Sequence, residues 1–379
     1  MSRVNVMQPW LGAEEVAAVT EVIESGWVAQ GPRVAEFERR FAEFQQAEHA
    51  VAVSSCTTAL HLALVVAGVR PGDEVVVPSF SFIATANAAV YVGATPVFAD
   101  VDPVTGNLTA ETISAAMTDR TRAVIAVDQG GVPVDLGALR AVCDPRGVVV
   151  VEDAACAAGS TYRSRPVGAG AEIAAWSFHP RKILTTGEGG MITTSRTDWA
   201  DRARRLREHA MSVSAADRHA SVISPPEEYT EVGFNFRMTD LQAAVGIVQL
   251  SRLPEVVDRR RALAASYTKA IEEIDGLRAV TDPAHGTCNF QSFWVEVLPD
   301  YPLRREGLLL ALAEADISAR RGIMASHRQP AYAHVGVDLP VTDHLTDNTL
   351  ILPLFHQMSD SDQARVIEAL RTNAQRATG

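Results

Sequence analysis

The spacing of apolar positions changes along the chain. Over residues 13–24, AEEVAAVTEVIE, they recur every three or four places, the repeat of a helix with one buried face. SGWVAQGPR then interrupts with two glycines and a proline, and RVAEFERRFAEF resumes the helical repeat. From residue 50 short apolar runs alternate with helical segments. AVAVSS, DEVVVPSFSF and TPVFADV predict strands, the second running into a loop. Between them, TTALHLALVVAG predicts a helix stopping at Gly68, and ATANAAVYVG predicts another. The alternation continues through the strands TRAVIAV, GVVVVEDA, EIAAWSF and GGMITT and the helix VDLGALRAVC. Apolar strands separated by helices predict an α/β domain with a mostly parallel sheet covered on both faces. TDLQAAVGIVQLSRLPEVVDRRRALAASYTKAIEEI predicts a long helix. It leads from a large domain, residues 1–250, into a smaller α+β domain, residues 251–379, with QSFWVEVL as a strand and RREGLLLALAEA as a helix.

Composition narrows the class without naming a function. The 379 residues suit two domains, and 47% hydrophobic with 21% charged residues is ordinary for a soluble protein. A net charge of -12 argues against general nucleic-acid binding, which needs a basic face. Cys56, Cys143, Cys156 and Cys288 form no CxxC pair, so no metal site is expected. The first residues lack a long apolar run, and none of 18 occurs later, so a cytoplasmic protein with reduced thiols is expected.

Ligands of open α/β sheets bind at the carboxyl ends of the strands, and reactive residues gather there. In VSSCTTALHLAL a strand gives way to a helix near Thr57, whose free N–H groups and dipole favour a phosphate, with Thr57 and Thr58 as hydroxyl donors. Read alone, Ser55 or Thr57 is simply an N-cap. In VVVVEDAACAAGS four valines run into Glu152 and Asp153, so a carboxylate ends a buried strand and needs a cationic partner, a protonated ring nitrogen or an arginine. Lys182 follows in SFHPRKILTTGEGGMITT, after the strand that ends at Ser177. A semi-buried amine there would have a lowered pKa and could form a Schiff base. Phe80 and Phe82 end another strand and offer a ring to stack on a planar ligand. A phosphate site, a carboxylate for a ring nitrogen and a Schiff-base lysine are together what pyridoxal 5'-phosphate (PLP) needs.

The sequence resembles the fold type I, PLP-dependent sugar aminotransferases of the DegT/DnrJ/StrS type over nearly its whole length. The stretches that carry this are SGWVAQGPRVAEFE, SSCTTALHLAL, PGDEVVVPSFSFIATANAAVYVGATPVFADVD, VEDAACAAGS, SFHPRKILTTGEGGMITT, GFNFRMTDLQAAVGIVQL and ILPLFHQMSD. The resemblance implies a seven-stranded, mostly parallel sheet between helices plus the smaller domain. It implies that Lys182 is the Schiff-base lysine and that Asp153 pairs with the pyridine nitrogen. Thr57, Thr58 and Ser177 match the phosphate cup, and Phe82 the stacking aromatic. Asn235 matches a residue reaching the phosphate from a second subunit, which implies a homodimer with shared sites. His327 matches a position near the sugar, although a structural histidine is an equal reading. Arg237 and Arg321 are candidates for substrate phosphates or the donor carboxylate; Glu188 is a substrate-side candidate by position alone.

Three positions depart from the pattern. Cys56 stands where glycine is frequent, Cys156 stands where glutamine or histidine faces the cofactor's phenolic oxygen, and Asp128 stands where histidine is common. A thiol is a weak hydrogen-bond partner, so the cofactor is expected to be tuned differently. The implied activity is transfer of an amino group from glutamate or glutamine to a keto-sugar, in the first place a nucleotide-linked 4-keto-6-deoxy hexose. Alternatives are a keto-cyclitol or other non-nucleotide acceptor, a PLP-dependent sugar dehydratase, and a non-catalytic PLP-binding regulator. The dehydratases replace the lysine by histidine, and a regulator is expected to lose the lysine or the aspartate; this chain keeps both.

Overall fold

The computed structural model describes residues 3–213 and 226–375. Nine strands belong to the larger part of the chain: β1 His49–Val53, β2 Glu74–Pro78, β3 Thr95–Ala99, β4 Thr121–Val127, β5 Val149–Asp153, β6 Thr161–Tyr162, β7 Arg165–Pro166, β8 Ile173–Ser177 and β9 Gly190–Thr194. Seven form one sheet in the order β1-β9-β8-β5-β4-β2-β3. Only β9 runs against its neighbours, so the other six strands end on the same edge. Helices cover both faces because the central strands are apolar on both sides: Val76, Val124 and Ala174 pack with Phe37, Phe41 and Phe178, whereas Val75, Ile125 and Val151 pack with Leu60 and Leu64. Each of these valine, leucine, isoleucine and phenylalanine side chains contributes roughly 1.5–3 kcal/mol by leaving water.

The long helix Asp240–Ile271 starts at a Thr239–Gln242 capping box and runs through Pro254 without a break. Ala243, Leu250, Leu253 and Val257 belong to the core beneath the large sheet. Leu263, Ala264, Tyr267 and Ile271 belong to a second core, so a domain division at residue 250 cuts a continuous helix. That second core lies against an antiparallel sheet of β10 Leu277–Ala279, β12 Phe293–Val297, β14 Thr349–Leu352 and β13 Arg320–Arg321, in that order. β11, Gly286–Thr287, joins β6 and β7 instead. The amino-terminal segment also reaches the small sheet's side of the molecule: Val4 pairs with Ile317, and the Leu354 N–H donates to the Val6 carbonyl at 3.1 Å. Among the described residues no helix is long and apolar enough to cross a membrane.

Candidate active site

The shared edge of the six codirectional strands collects the polar residues. β1 is followed by Ser54 and Ser55, β2 by Ser79 and β4 by Asp128, while β5 ends at Asp153 and β8 at Ser177. β9 lies between β1 and β8, with Gly190 opposite both Val53 and Ser177. A Cβ on Gly190 would come within 2.4 Å of the Ser55 backbone, so only glycine lets β9 sit against the turn that opens the helix Cys56–Val66.

That turn divides its hydroxyls by task. Ser55 is the N-cap and accepts from the Thr58 N–H at 3.1 Å; the Thr58 hydroxyl donates back to the Ser55 carbonyl at 2.8 Å. Thr58 is thereby held in the capping box. The Thr57 hydroxyl and the N–H groups of Cys56 and Thr57 have no protein partner among the described residues. This is the donor set an anion at a helix N-terminus requires.

Asp153 is 4% exposed. Its Oδ2 accepts from the Thr85 hydroxyl at 3.1 Å and its Oδ1 from the Ala155 N–H at 3.2 Å. No arginine pairs with it among the described residues; the cation facing it is Lys182. Burial pushes its carboxyl above the ordinary range, against the pull of Lys182, the Ala155 N–H and Thr85. A buried carboxylate with one hydroxyl and one amide partner still has lone pairs to offer a charged N–H.

Lys182 sits in a loop tied by hydroxyls. Its N–H donates to the His179 carbonyl at 2.8 Å, the Thr186 N–H and the Thr185 hydroxyl both donate to the Phe178 carbonyl, and the Thr186 hydroxyl donates to the Glu188 carbonyl. The amine lies 3.1 Å from the Cys156 sulfur. Burial lowers its proton affinity, but Cys156, Cys56 and Asp153 outweigh that, and the amine lies above the ordinary lysine value. This corrects the expected lowered pKa: the amine is enclosed with groups that favour its charge, not with apolar side chains alone. The Cys56 thiol, 4.0 Å from Asp153, is itself pushed well up, by burial first and then by that carboxylate.

The remaining candidates separate. Phe80 is 1% exposed and its carbonyl accepts from Gln129, so it belongs to the core, whereas Phe82 is 65% exposed. Ser177 is half-buried, with no closer side-chain partner than the His179 N–H at 3.5 Å. Asn235 is exposed between Phe234 and Phe236, whose rings stack on each other at 4.7 Å. His327 is buried; its Nδ1 lies 2.7 Å from the Ser79 hydroxyl and its Nε2 3.6 Å from Asp343, so it ties the 326–328 turn to the end of β2. Arg321 is exposed and gripped by both oxygens of Glu306, at 2.9 and 2.7 Å, which removes it from the free anion donors. Arg237 is half-buried and has no ion pair among the described residues. Glu188 is exposed, and among the described residues only its backbone carbonyl is engaged, by Thr186 and Gln242.

Asp128, beside Asp153 on the same edge, is wholly buried. Its Oδ1 accepts from the Val134 N–H at 2.8 Å and its Oδ2 has no partner among the described residues. Burial and the neighbouring Glu152 push its carboxyl well up, and burial moves Glu152 to about 7. Two residues that sequence reasoning did not single out also shape the site. Thr85 holds Asp153, and Asn289 donates at 2.8 Å to the carbonyls of both Cys156 and Ala158. Asn289 comes from the far side of the long helix, and no spacing in the sequence links it to Cys156.

These residues fit PLP: an enclosed amine, a buried carboxylate with free lone pairs, and unpartnered hydroxyl and amide donors at a helix start. The profile of the DegT/DnrJ/EryC1/StrS aminotransferase family matches residues 9–371. The spore coat polysaccharide biosynthesis protein SpsC of Bacillus subtilis (strain 168) is 41% identical over 369 residues, covering 96% of this chain and 95% of its own. The aminotransferase TlmJ of Streptoalloteichus hindustanus superposes with a TM-score of 0.91 at 39% identity, over 99% of this chain and 100% of TlmJ. DesI, crystallised in the presence of its TDP-sugar product, superposes with a TM-score of 0.90 at 31% identity, over 100% of this chain and 94% of DesI.

Proposed function

The chain belongs to the DegT/DnrJ/EryC1/StrS aminotransferase family and is a PLP-dependent sugar aminotransferase, and from that premise we propose its substrates and the roles of its residues. The donor is glutamate or glutamine, and the acceptor is a nucleotide-linked 4-keto-6-deoxy hexose. The observation that carries the assignment of residues is the enclosure of the Lys182 amine and the Asp153 carboxylate together at one sheet edge. The polysaccharide role in SpsC's name and the TDP-sugar product of DesI support the acceptor class.

Asp153 holds a proton on the pyridine nitrogen, and Thr85 and the Ala155 N–H keep its two oxygens in place. The Thr57 hydroxyl, the free N–H groups of Cys56 and Thr57, and Ser177 hold the phosphate. Phe82 covers the ring. Bound PLP supplies an electron sink for the carbanion formed at the donor's α-carbon. Lys182 Nζ takes the proton from that carbon and returns it on the other side of the transfer; its Cys156 contact holds it toward the site between the two events. Asn235 faces outward and reaches the phosphate of a partner subunit, which makes the working unit a homodimer.

To test this, the PLP form is mixed with glutamate and with glutamine. The absorbance of lysine-bound cofactor should give way to that of pyridoxamine phosphate with at least one of them. No change with either overturns the donor assignment.

A further inference from the structure

We propose that Cys156 and Lys182 form a reversible sulfur–nitrogen bridge when a peroxide reaches the cofactor-free site, so that oxidation closes the lysine to PLP. The bridge rests on the contact between the two side chains; its control by PLP rests on the role of Lys182 given above. The Lys182 amine lies 3.1 Å from the Cys156 sulfur. Both backbones are pinned: the Cys156 carbonyl accepts from Asn289 Nδ2 at 2.8 Å, and the Lys182 N–H donates to the His179 carbonyl at 2.8 Å. A bond between the side chains therefore needs only a short approach of two atoms, with both loops left in place. Cys156 and Lys182 are half-buried, within reach of a small oxidant, whereas Cys143 and Cys288 are buried. Cys56, the other half-buried cysteine, has its sulfur 4.0 Å from Asp153 Oδ1. The partner in hydrogen-bond contact with the Cys156 sulfur is thus an amine, not a thiol.

The chemistry balances in two steps. First, the Cys156 sulfur attacks one oxygen of hydrogen peroxide and the O–O bond breaks. Sulfur is oxidised by two electrons to a sulfenic acid, the peroxide is reduced, and the thiol proton leaves with hydroxide as water. Loss of the thiol also removes the strongest of the influences that favour charge on the amine. Second, the lone pair of the uncharged amine attacks the sulfur. The S–N bond forms, the S–O bond breaks, and the hydroxyl leaves with one amine proton as water. A sulfenic acid condenses with a backbone nitrogen in the same way; here a side-chain nitrogen already stands at 3.1 Å. A thiol reductant reverses the bridge by attacking the sulfur and releasing the amine, and a second thiol frees Cys156 as the reductant becomes a disulfide. The bridge spares the sulfur from irreversible oxidation to a sulfinic acid and occupies the amine that PLP needs. A lysine already joined to PLP has no amine to give.

The test treats the full-length protein, freed of cofactor, with hydrogen peroxide and maps its peptides by mass spectrometry. A peptide joining Cys156 to Lys182, lighter by two hydrogen atoms than its reduced parts, is expected. The chain has one other lysine, Lys269, exposed on the long helix, so the bridged lysine is assigned without ambiguity. The bridge should persist in Cys56→Ser and vanish in Cys156→Ser. Capture of PLP, read as the lysine-bound chromophore, should be lost with the bridge and return on adding dithiothreitol. In Lys182→Gln, shown to be folded by circular dichroism, Cys156 should run on to the sulfinic acid. A Cys56–Cys156 disulfide, a sulfinic Cys156 beside a free Lys182, or an equal loss of capture in Cys156→Ser would each overturn the bridge. Protein already loaded with PLP should be protected. Equal bridging there leaves the bridge standing and overturns Lys182 as the lysine that holds the cofactor.

Discussion

The Lys182 amine and the Cys156 sulfur lie 3.1 Å apart. The thiol thus stands at the reactive amine, on a turn whose carbonyls are fixed by Asn289. Replacing Lys182 by alanine should abolish the lysine-bound chromophore and lower turnover by about 10³-fold or more, the scale of a lost general acid–base. Spectra of the purified variant with added PLP, and steady-state rates, check both.

Cys156→Ala should change the amine rather than remove it. Cys156 is the largest of the influences that raise the proton affinity of Lys182, so the variant's amine should titrate lower and be less protonated near neutral pH. Capture of PLP by apoprotein at pH 7 should then be several-fold faster, as read by stopped-flow absorbance, with the pH midpoint of capture moved down.

Thr85→Val keeps the shape of the side chain and removes its hydrogen bond to Asp153 Oδ2. The Asp153 carboxyl should rise further, and its hold on a protonated ring nitrogen should weaken. We expect a roughly ten- to hundredfold loss of kcat, the scale of the 1.5–3 kcal/mol of a hydrogen bond to a charged group, and an unchanged fold. Kinetics with circular dichroism separate the two.

The buried carboxyls of Asp128 and Glu152 give stability a pH slope. Both bind protons more tightly in the folded than in the unfolded protein, Glu152 at about 7 against 4.5. The Glu152 contribution is complete below about pH 4 and is lost as pH rises through about 7, and that of Asp128 is likewise present at low pH and lost as pH rises. Unfolding free energy from denaturant titration should fall between pH 5 and pH 8 by on the order of 2–3 kcal/mol through Glu152 alone. Glu152→Gln should flatten that slope, and Asp128→Asn should flatten it further.

Ser79→Ala leaves His327 Nδ1 without its 2.7 Å partner inside the protein. A buried polar group so orphaned costs about 1–3 kcal/mol, visible as a lower Tm. The loss should appear whether or not substrate binds, because the contact joins the end of β2 to the 326–328 turn.

Much of this site lies on the surface of the sequence. Asp153 and Lys182 are legible because a buried apolar strand cannot end in a carboxylate, nor a hydroxyl-rich loop enclose a lysine, without a reason. The strands of the large sheet follow from apolar runs bounded by turns. The helices Ala110–Ala116, Thr197–Leu206, Pro340–Asn348 and Asp360–Gln375 stand out less in the sequence, because they are short or carry many polar residues. Contacts between distant segments stay hidden in any local pattern. Asn289 reaches Cys156 across 133 positions, and Ser79 reaches His327 across 248. The same limit hides the engagement of Arg321, whose partner Glu306 lies on the helix Arg305–Glu314.

The most direct test of the account is the second half of the reaction. Protein converted to the pyridoxamine form is freed of donor and offered nucleotide-linked 4-keto-6-deoxy hexoses beside 3-keto-sugars and keto-cyclitols, while absorbance follows return of the lysine-bound cofactor and mass spectrometry follows the sugar. Return with a 4-keto nucleotide sugar, together with its aminated product, is the predicted result. Return only with a cyclitol or another acceptor lacking a nucleotide would contradict it.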